Sequence, residues 1–194
     1  MTSPDSAVRP AATVVVLRRD AGGLAVFMVQ RSRRVGFMPS AWVFPGGRVD
    51  RADDLVDHPR VRGGERAAAL MGLEHARAVP FLAAAVRETF EESGIWLGNG
   101  TPSSQARDGL NARDVTLADV LEQHDLTADL DALVPWSWWV TPKVEPRRYD
   151  TRFFLAVVDT EDGVHDDGET VASAWLPVGQ AAAQADAGVL PMAP

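Results

Sequence analysis

The chain contains no cysteine, which excludes disulfides and thiolate metal sites and leaves only oxygen or imidazole to bind a metal ion. It has no uninterrupted apolar run long enough to cross a bilayer, and Met1 to Pro10 lacks the apolar stretch of a signal peptide. A soluble, cytoplasmic protein with no membrane partner is expected. Positive charge is also scarce: 19 basic residues stand against 27 acidic ones, for a formal net charge of -8. Such a chain does not attract a phosphate polyanion, so nucleic acid is not expected as a partner. The basic residues are nonetheless clustered, at Arg31, Arg33 and Arg34 and again at Arg147, Arg148 and Arg152. Two such clusters suit a small phosphorylated ligand.

What remains is 194 residues, 46% of them hydrophobic, enough to fill one sizeable core. Ala12 to Leu17 reads as a buried strand, turned by Ala21-Gly22-Gly23 into a second, Leu24 to Gln30. Trp42-Val43-Phe44 is a short apolar segment broken by Pro45-Gly46-Gly47. From Pro80 to Ser93 the residues Phe81, Leu82, Ala85, Val86 and Phe90 recur at helical spacing, with Pro80 suited to a first turn and Gly94 to a C-terminal cap. Gly98 to Asp114 reads as loop and Leu117 to Gln123 as a short helix. Trp136 to Val140, Arg152 to Val158 and Val171 to Leu176 read as strands, and Gln180 to Ala187 as a terminal helix. Strands on both sides of a central helix, with an antiparallel hairpin, predict an α/β domain with a mixed sheet.

Residues three and four apart share a helix face, so Glu88, Glu91 and Glu92 place three carboxylates together. Like charges so placed repel, and a hard divalent cation relieves the repulsion because Mg²⁺ and Mn²⁺ prefer carboxylate and water oxygens. By itself the triplet also fits a solvated helix face. Its company narrows the choice: Phe44-Pro45-Gly46-Gly47 precedes it, Arg87 and Gly94-Ile95 flank it, and a double glycine lets backbone approach a ligand closely and offer a carbonyl.

The run Arg87-Glu88-Thr89-Phe90-Glu91-Glu92-Ser93-Gly94-Ile95 resembles the second half of the Nudix signature: glycine, five residues, glutamate, seven residues, then Arg-Glu-apolar-any-Glu-Glu-any-Gly-apolar. Thr89 stands where an apolar residue is usual. Gly47 and Arg87 lie 40 positions apart (87 − 47) where the signature sets 14, an excess of 26 that we place at Arg51 to about Val79. Counting back from Arg87, the first signature glutamate falls on Val79, which leaves its role vacant or taken by Glu74 or Glu65. Arg31-Ser32 with Gly36-Phe37-Met38-Pro39-Ser40-Ala41, the segment Pro146 to Phe154, and Asp167-Gly168-Glu169 with Trp175-Leu176 resemble the coenzyme A diphosphatase branch, whose members include ones with a long insertion in the signature.

The resemblance implies a single Nudix domain over residues 1–194, an α/β/α sandwich around a mixed sheet. It implies a hydrolase that cleaves the diphosphate of a nucleoside diphosphate linked to another moiety, here coenzyme A or acyl-coenzyme A, using Mg²⁺ or Mn²⁺. Its metal ligands would be Glu91, Glu92 and the carbonyl of Gly47, with Glu88 a third ligand or the base. Arg87 would orient the glutamates and Glu169, on a later loop, is a second candidate base. Arg31, Arg33, Arg34, Arg147 and Arg148 are candidate phosphate contacts. Trp136, Trp138 and Trp139 suit base stacking, a core, or an interface between two copies. Hydrolysis of ADP-ribose or dinucleotides, and non-catalytic nucleotide binding, are the alternatives, the last permitted by the vacant glutamate.

Overall fold

The computed structural model describes residues 8–33, 38–145, 147–160 and 162–192. The hairpin β1 (Arg9–Asp20) and β2 (Gly23–Arg31) opens the chain, followed by the short strands β3 (Trp42–Val43) and β4 (Gly46–Arg48). After a 3-10 turn at Arg51–Asp53 come β5 (Val61–Arg62), α1 (Glu65–Met71) and the long α2 (His75–Ser93). Next are β6 (Gly98–Asn99), α3 (Ser104–Asn111), α4 (Leu117–Gln123) and β7 (Thr127–Asp129). The strands β8 (Val134–Val140), β9 (Tyr149–Val157) and β10 (Thr170–Pro177) and the helix α5 (Val178–Asp186) complete it.

The main sheet runs β10-β2-β1-β9-β8, with β3 added to β2 and β4 to β1. β1 pairs parallel with β9 and every other pairing is antiparallel, so the sheet is mixed as expected. Helix α2 packs against β1 and β4 on one side, while α5 packs on β2 and β10. This is an α/β/α arrangement. A second, three-stranded sheet, β5-β7-β6, joins the inserted segment, through β5, to the chain that follows α2, through β6 and β7. Leu55 and Ala67 of that segment and Leu110 and Leu121 of α3 and α4 share one buried cluster with Val14 and Phe154 of the main sheet.

α2 is the spine of that cluster. Its alanines carry high helix propensity, and Leu82, Ala83, Ala84, Ala85 and Val86 are fully buried. Each large apolar side chain so buried contributes about 1.5–3 kcal/mol. The helix starts at His75, earlier than the expected Pro80, which lies inside it and supplies no N–H to the carbonyl of Ala76. It ends as expected at Gly94, whose φ of 72° is the left-handed cap geometry and whose N–H donates to Phe90 O at 2.8 Å.

Two expectations need correction. Gly98 to Asp114 is not all loop: α3 forms there, capped by Ser103, whose Oγ accepts from Ala106 N, with Ala106 and Leu110 buried one turn apart. The tryptophans of β8 fill no core, being 68%, 59% and 67% exposed at Trp136, Trp138 and Trp139. No single described helix is long and apolar enough to cross a membrane.

Candidate active site

The site is built where α2 passes beneath β4. Arg87, 8% exposed, is its hub. Its Nε donates to Asp53 Oδ1 at 2.8 Å and Nη2 to Asp53 Oδ2 at 2.9 Å and to the Arg48 carbonyl at 2.9 Å. Its Nη1 donates to Glu88 Oε1 at 2.8 Å and Glu91 Oε1 at 3.2 Å. A guanidinium has five N–H donors, and these five bonds use them all. Burial alone would lower the Arg87 pKa, but the Asp53 hydrogen bonds and the charges of Glu88, Asp53 and Glu91 more than offset it and hold the group protonated. Arg87 is therefore placed to orient carboxylates.

Asp53 overturns the vacant-glutamate reading. It is fully buried on Arg87 and lies six positions after Gly47, where the signature puts its first glutamate. The excess of 26 residues thus occupies 54–79, and counting back from Arg87 met the wrong end of it. Neither Glu65 nor Glu74 fills the role: Glu65 is exposed beside His75, and Glu74 is exposed at the N-cap position of α2.

The three glutamates converge as their spacing predicts. Glu92 Oε2 accepts from Gly46 N at 3.1 Å. Gly47 lies so close to Glu88 that an added Cβ would stand 2.4 Å from Oε1, so a side chain here would push the Glu88 carboxylate out of its place. Burial pushes the Glu88 carboxyl up to about 7, partly countered by Arg87 and reinforced by Glu91. Burial also raises Glu91, against the charge of Arg87, and raises Glu92 well above the usual range with help from Glu88, Asp166 and Glu169. These are carboxylates in need of a cation.

Among the described residues no three His, Asp or Glu side chains are arranged to hold a metal ion together: Glu88 and Glu91 turn onto Arg87 and Glu92 onto Gly46. Each glutamate commits a single oxygen to those bonds: Oε1 of Glu88, Oε1 of Glu91 and Oε2 of Glu92. Among the described residues the second oxygen of each accepts no hydrogen bond. An all-oxygen donor set, mutual repulsion and a backbone approach cleared of side chain at Gly47 fit a hard divalent ion.

Around this centre the other expected residues divide. Glu169 is exposed on the loop before β10, and its charge faces Glu92. Arg31 lies on the same flank, paired in register with Thr170, and its Nε is buried without a hydrogen-bond partner among the described residues. Arg33 is exposed, and Arg34 lies outside the described residues. Arg147 is exposed, and Arg148 donates from Nε to the Thr141 carbonyl at 3.1 Å. The sheet order thus separates the two arginine clusters, with β2 on one side of β1 and β9 on the other.

Two further residues escaped the sequence reading. Arg107 of α3 donates from Nε to the Glu91 carbonyl at 2.9 Å and from Nη2 to the Val164 carbonyl at 2.6 Å, tying the loop that carries Asp166 and Glu169 to the end of α2. Asp166 shapes that loop. Burial would raise its pKa, but hydrogen bonds from the Thr170 hydroxyl and from the N–H groups of Glu169 and Thr170 hold it below the usual range. The Ser103 cap with Ala106 and Leu110 was the available signal for α3; nothing local marks Arg107.

An Arg-Glu-x-x-Glu-Glu helix under a double glycine, on a mixed sheet covered from both sides, is the arrangement that defines a Nudix domain. The chain belongs to the Nudix hydrolase family: residues 75–194 match the family model of the NUDT19 Nudix domain. It is 32% identical over 200 residues to the acyl-coenzyme A diphosphatase NUDT19 of Gallus gallus, covering 77% of this chain and 53% of that protein. With the Homo sapiens protein of the same description it shares 30% over 201 residues, covering 80% and 54%. The chain thus spans about half the length of these relatives. Among solved structures, a NUDIX hydrolase from Alicyclobacillus acidocaldarius superposes with a TM-score of 0.83 at 29% identity, covering 96% of this chain and 86% of that one.

Proposed function

We propose that this chain is a divalent-metal-dependent diphosphatase that hydrolyses coenzyme A or its acyl derivatives to 3′,5′-ADP and a phosphopantetheine product. The observation that carries the chemistry is the buried cluster of Glu88, Glu91 and Glu92 held between Arg87 and the Gly46-Gly47 backbone. The relatives named acyl-coenzyme A diphosphatase support the substrate class.

Glu91, Glu92 and the Gly47 carbonyl would hold Mg²⁺ or Mn²⁺. When bound, the ion supplies positive charge to the diphosphate and acidity to the attacking water. Glu88 takes the proton from that water: it is buried beside Gly47, and its raised pKa suits a base working near neutral pH. Glu169 approaches the same space from the solvent side and is the competing base, so Glu88→Gln and Glu169→Gln are to be compared directly. Arg87, with every donor spent, fixes the glutamates and does not touch substrate. Arg31 offers an unpaired buried donor to a phosphate on the β2 flank.

Asp53 weakens the reading of a non-catalytic nucleotide-binding domain, which rested on the missing glutamate. Hydrolysis of ADP-ribose or dinucleotides is the remaining alternative. Free and acylated coenzyme A, dephospho-coenzyme A, ADP-ribose and NADH, each incubated with Mg²⁺ and resolved by product mass, separate them. Mg²⁺-dependent 3′,5′-ADP release is expected. Product from ADP-ribose with none from either coenzyme A form would overturn the substrate; equal cleavage of dephospho-coenzyme A would show that the 3′-phosphate is not recognised.

A further inference from the structure

Strand register carries the site sideways across the sheet. Gly47 is paired with Ala12, Ala12 with Arg152, and Arg152 with Trp138. These four residues form one row, and neighbours in such a row lie about 4.8 Å apart. Arg152 and Trp138 therefore stand two and three strand spacings from the glycine beside Glu88. They share the α2 face of the sheet, since the Arg152 guanidinium lies 5.7 Å from the Phe81 ring of α2 and 4.1 Å from the Trp138 ring.

Trp138 is held more firmly than its exposure suggests. Its Nε1 donates to Asp150 Oδ1 at 2.5 Å, and Arg152 lies against its ring. Arg152 in turn is only 12% exposed in its side chain, and its buried Nε has no hydrogen-bond partner among the described residues, Asp150 Oδ1 lying 3.6 Å away. The tryptophan is nevertheless 59% exposed. A ring fixed at its edge, backed by a cation and open to solvent is a preorganised stacking surface. The other two tryptophans of β8 lack this setting. Trp139 pairs with Thr151 and so projects from the opposite face, and Trp136 falls in the bulge between Pro135 and Ser137.

We propose that Trp138, backed by Arg152 and held by Asp150, is the platform on which the base of the nucleoside diphosphate stacks. The inference rests on the diphosphatase reading above, because the row leads away from the glutamates by three strand spacings, roughly 14 Å, the reach of a whole extended nucleoside diphosphate rather than of a phosphate alone. It also assigns the two flanks: the base lies toward β8, and the second moiety toward Arg31 on β2. Stacking tolerates any base, so substrate choice would be set on the β2 flank.

The test is calorimetric titration of the intact chain with ADP and, separately, with inorganic pyrophosphate, both with Mg²⁺, alongside KM and kcat for coenzyme A. Trp138→Ala should weaken ADP by about 5- to 150-fold, the range of one base–aromatic stack, while leaving pyrophosphate binding and kcat unchanged and raising KM. Trp138→Phe should recover most of the loss, and Trp139→Ala, equally exposed on the other face, should change nothing. Unchanged ADP affinity in Trp138→Ala, or equal loss of ADP and pyrophosphate, overturns the platform even if coenzyme A is hydrolysed normally. Absence of both probe binding and metal-dependent hydrolysis in the unaltered chain overturns the diphosphatase reading with it.

Discussion

Two arginines meet helix α2, one near each end, and the fold treats them oppositely. Arg87, in the last third, spends all five donors on Asp53, Glu88, Glu91 and the Arg48 carbonyl. Arg152, against Phe81 nearer the helix start, is nearly as buried, but it has only a 3.6 Å ion pair from Nε to Asp150, no hydrogen-bond partner for that Nε among the described residues, and two aromatic rings beside its guanidinium. A saturated arginine sets the geometry of its neighbours and has nothing left for a ligand. An unsaturated one costs desolvation without full return, and such a cost is retained where a ligand completes the site.

The largest effect falls beside the saturated arginine. Glu91→Gln and Glu92→Gln should each remove metal-dependent turnover, while the thermal unfolding midpoint holds or rises because a repelling charge is gone. Near-normal turnover of either folded variant at saturating Mg²⁺ would break the assignment of this cluster.

Next comes the contrast itself. Asp53→Ala strips two bonds from a buried guanidinium and should cost about 3–5 kcal/mol, the range for breaking a buried ion pair from one side. Arg152→Met keeps the apolar stem between Phe81 and Trp138 and should cost about 1 kcal/mol, the scale of a cation–π contact. Urea unfolding of both variants measures the difference. If Arg152→Met were the more damaging, Arg152 would be structural and the contrast would collapse.

The carboxylates make the same region sensitive to pH. Glu88 titrates at about 7 in the fold against its ordinary 4.5, and Glu91 and Glu92 are raised too. A raised carboxyl binds its proton more tightly in the folded chain than in the unfolded one. Stability from that proton is complete below about pH 4.5 and is lost as pH rises through about 7. Metal-free protein should therefore melt progressively lower across this window, and Mg²⁺ should restore the midpoint most at its upper end. A midpoint rising over the same interval would show that these groups are not buried as drawn.

How much of this was legible beforehand follows the range of the signal. α2 was readable because Leu82, Val86 and Phe90 repeat on one face, and the three glutamates because helical spacing fixes their common side. Its true start was hidden, since Ala76, Ala78 and Val79 carry no boundary signal and Pro80 imitates one. Asp53 was in plain view at its place after Gly47, but a count from Arg87 had to cross the insertion. Arg107 depends on a contact to Val164 across dozens of residues, which no local pattern encodes; Arg152 was visible as a member of a basic cluster, but its place beside Trp138 and in line with Gly47 came only from strand register.

A smaller effect should come from Arg107, whose hydrogen bonds among the described residues go to two carbonyls and to no carboxylate. Arg107→Ala should lose about 1.5–3 kcal/mol, the worth of a charged hydrogen bond, and should speed hydrogen exchange in the loop carrying Glu169. Unchanged exchange there would show that the loop is held by Asp166 and Thr170 alone.

The smallest change has the opposite sign and lies on α2 itself. Thr89 sits one turn from Ser93, fully buried, where the family signature favours an apolar residue, and its Oγ1 has no partner among the described residues. Ser93 Oγ donates to the Thr89 carbonyl, so the backbone there is satisfied without the threonine hydroxyl. Thr89→Val keeps the branched shape and removes only the unsatisfied hydroxyl. It should raise stability by about 1 kcal/mol, read as a higher urea midpoint at an unchanged slope, with turnover unaffected. A loss of stability would mean that the hydroxyl has a partner the side-chain geometry does not reveal, and that the two ends of α2 differ less in polar satisfaction than the two arginines indicate.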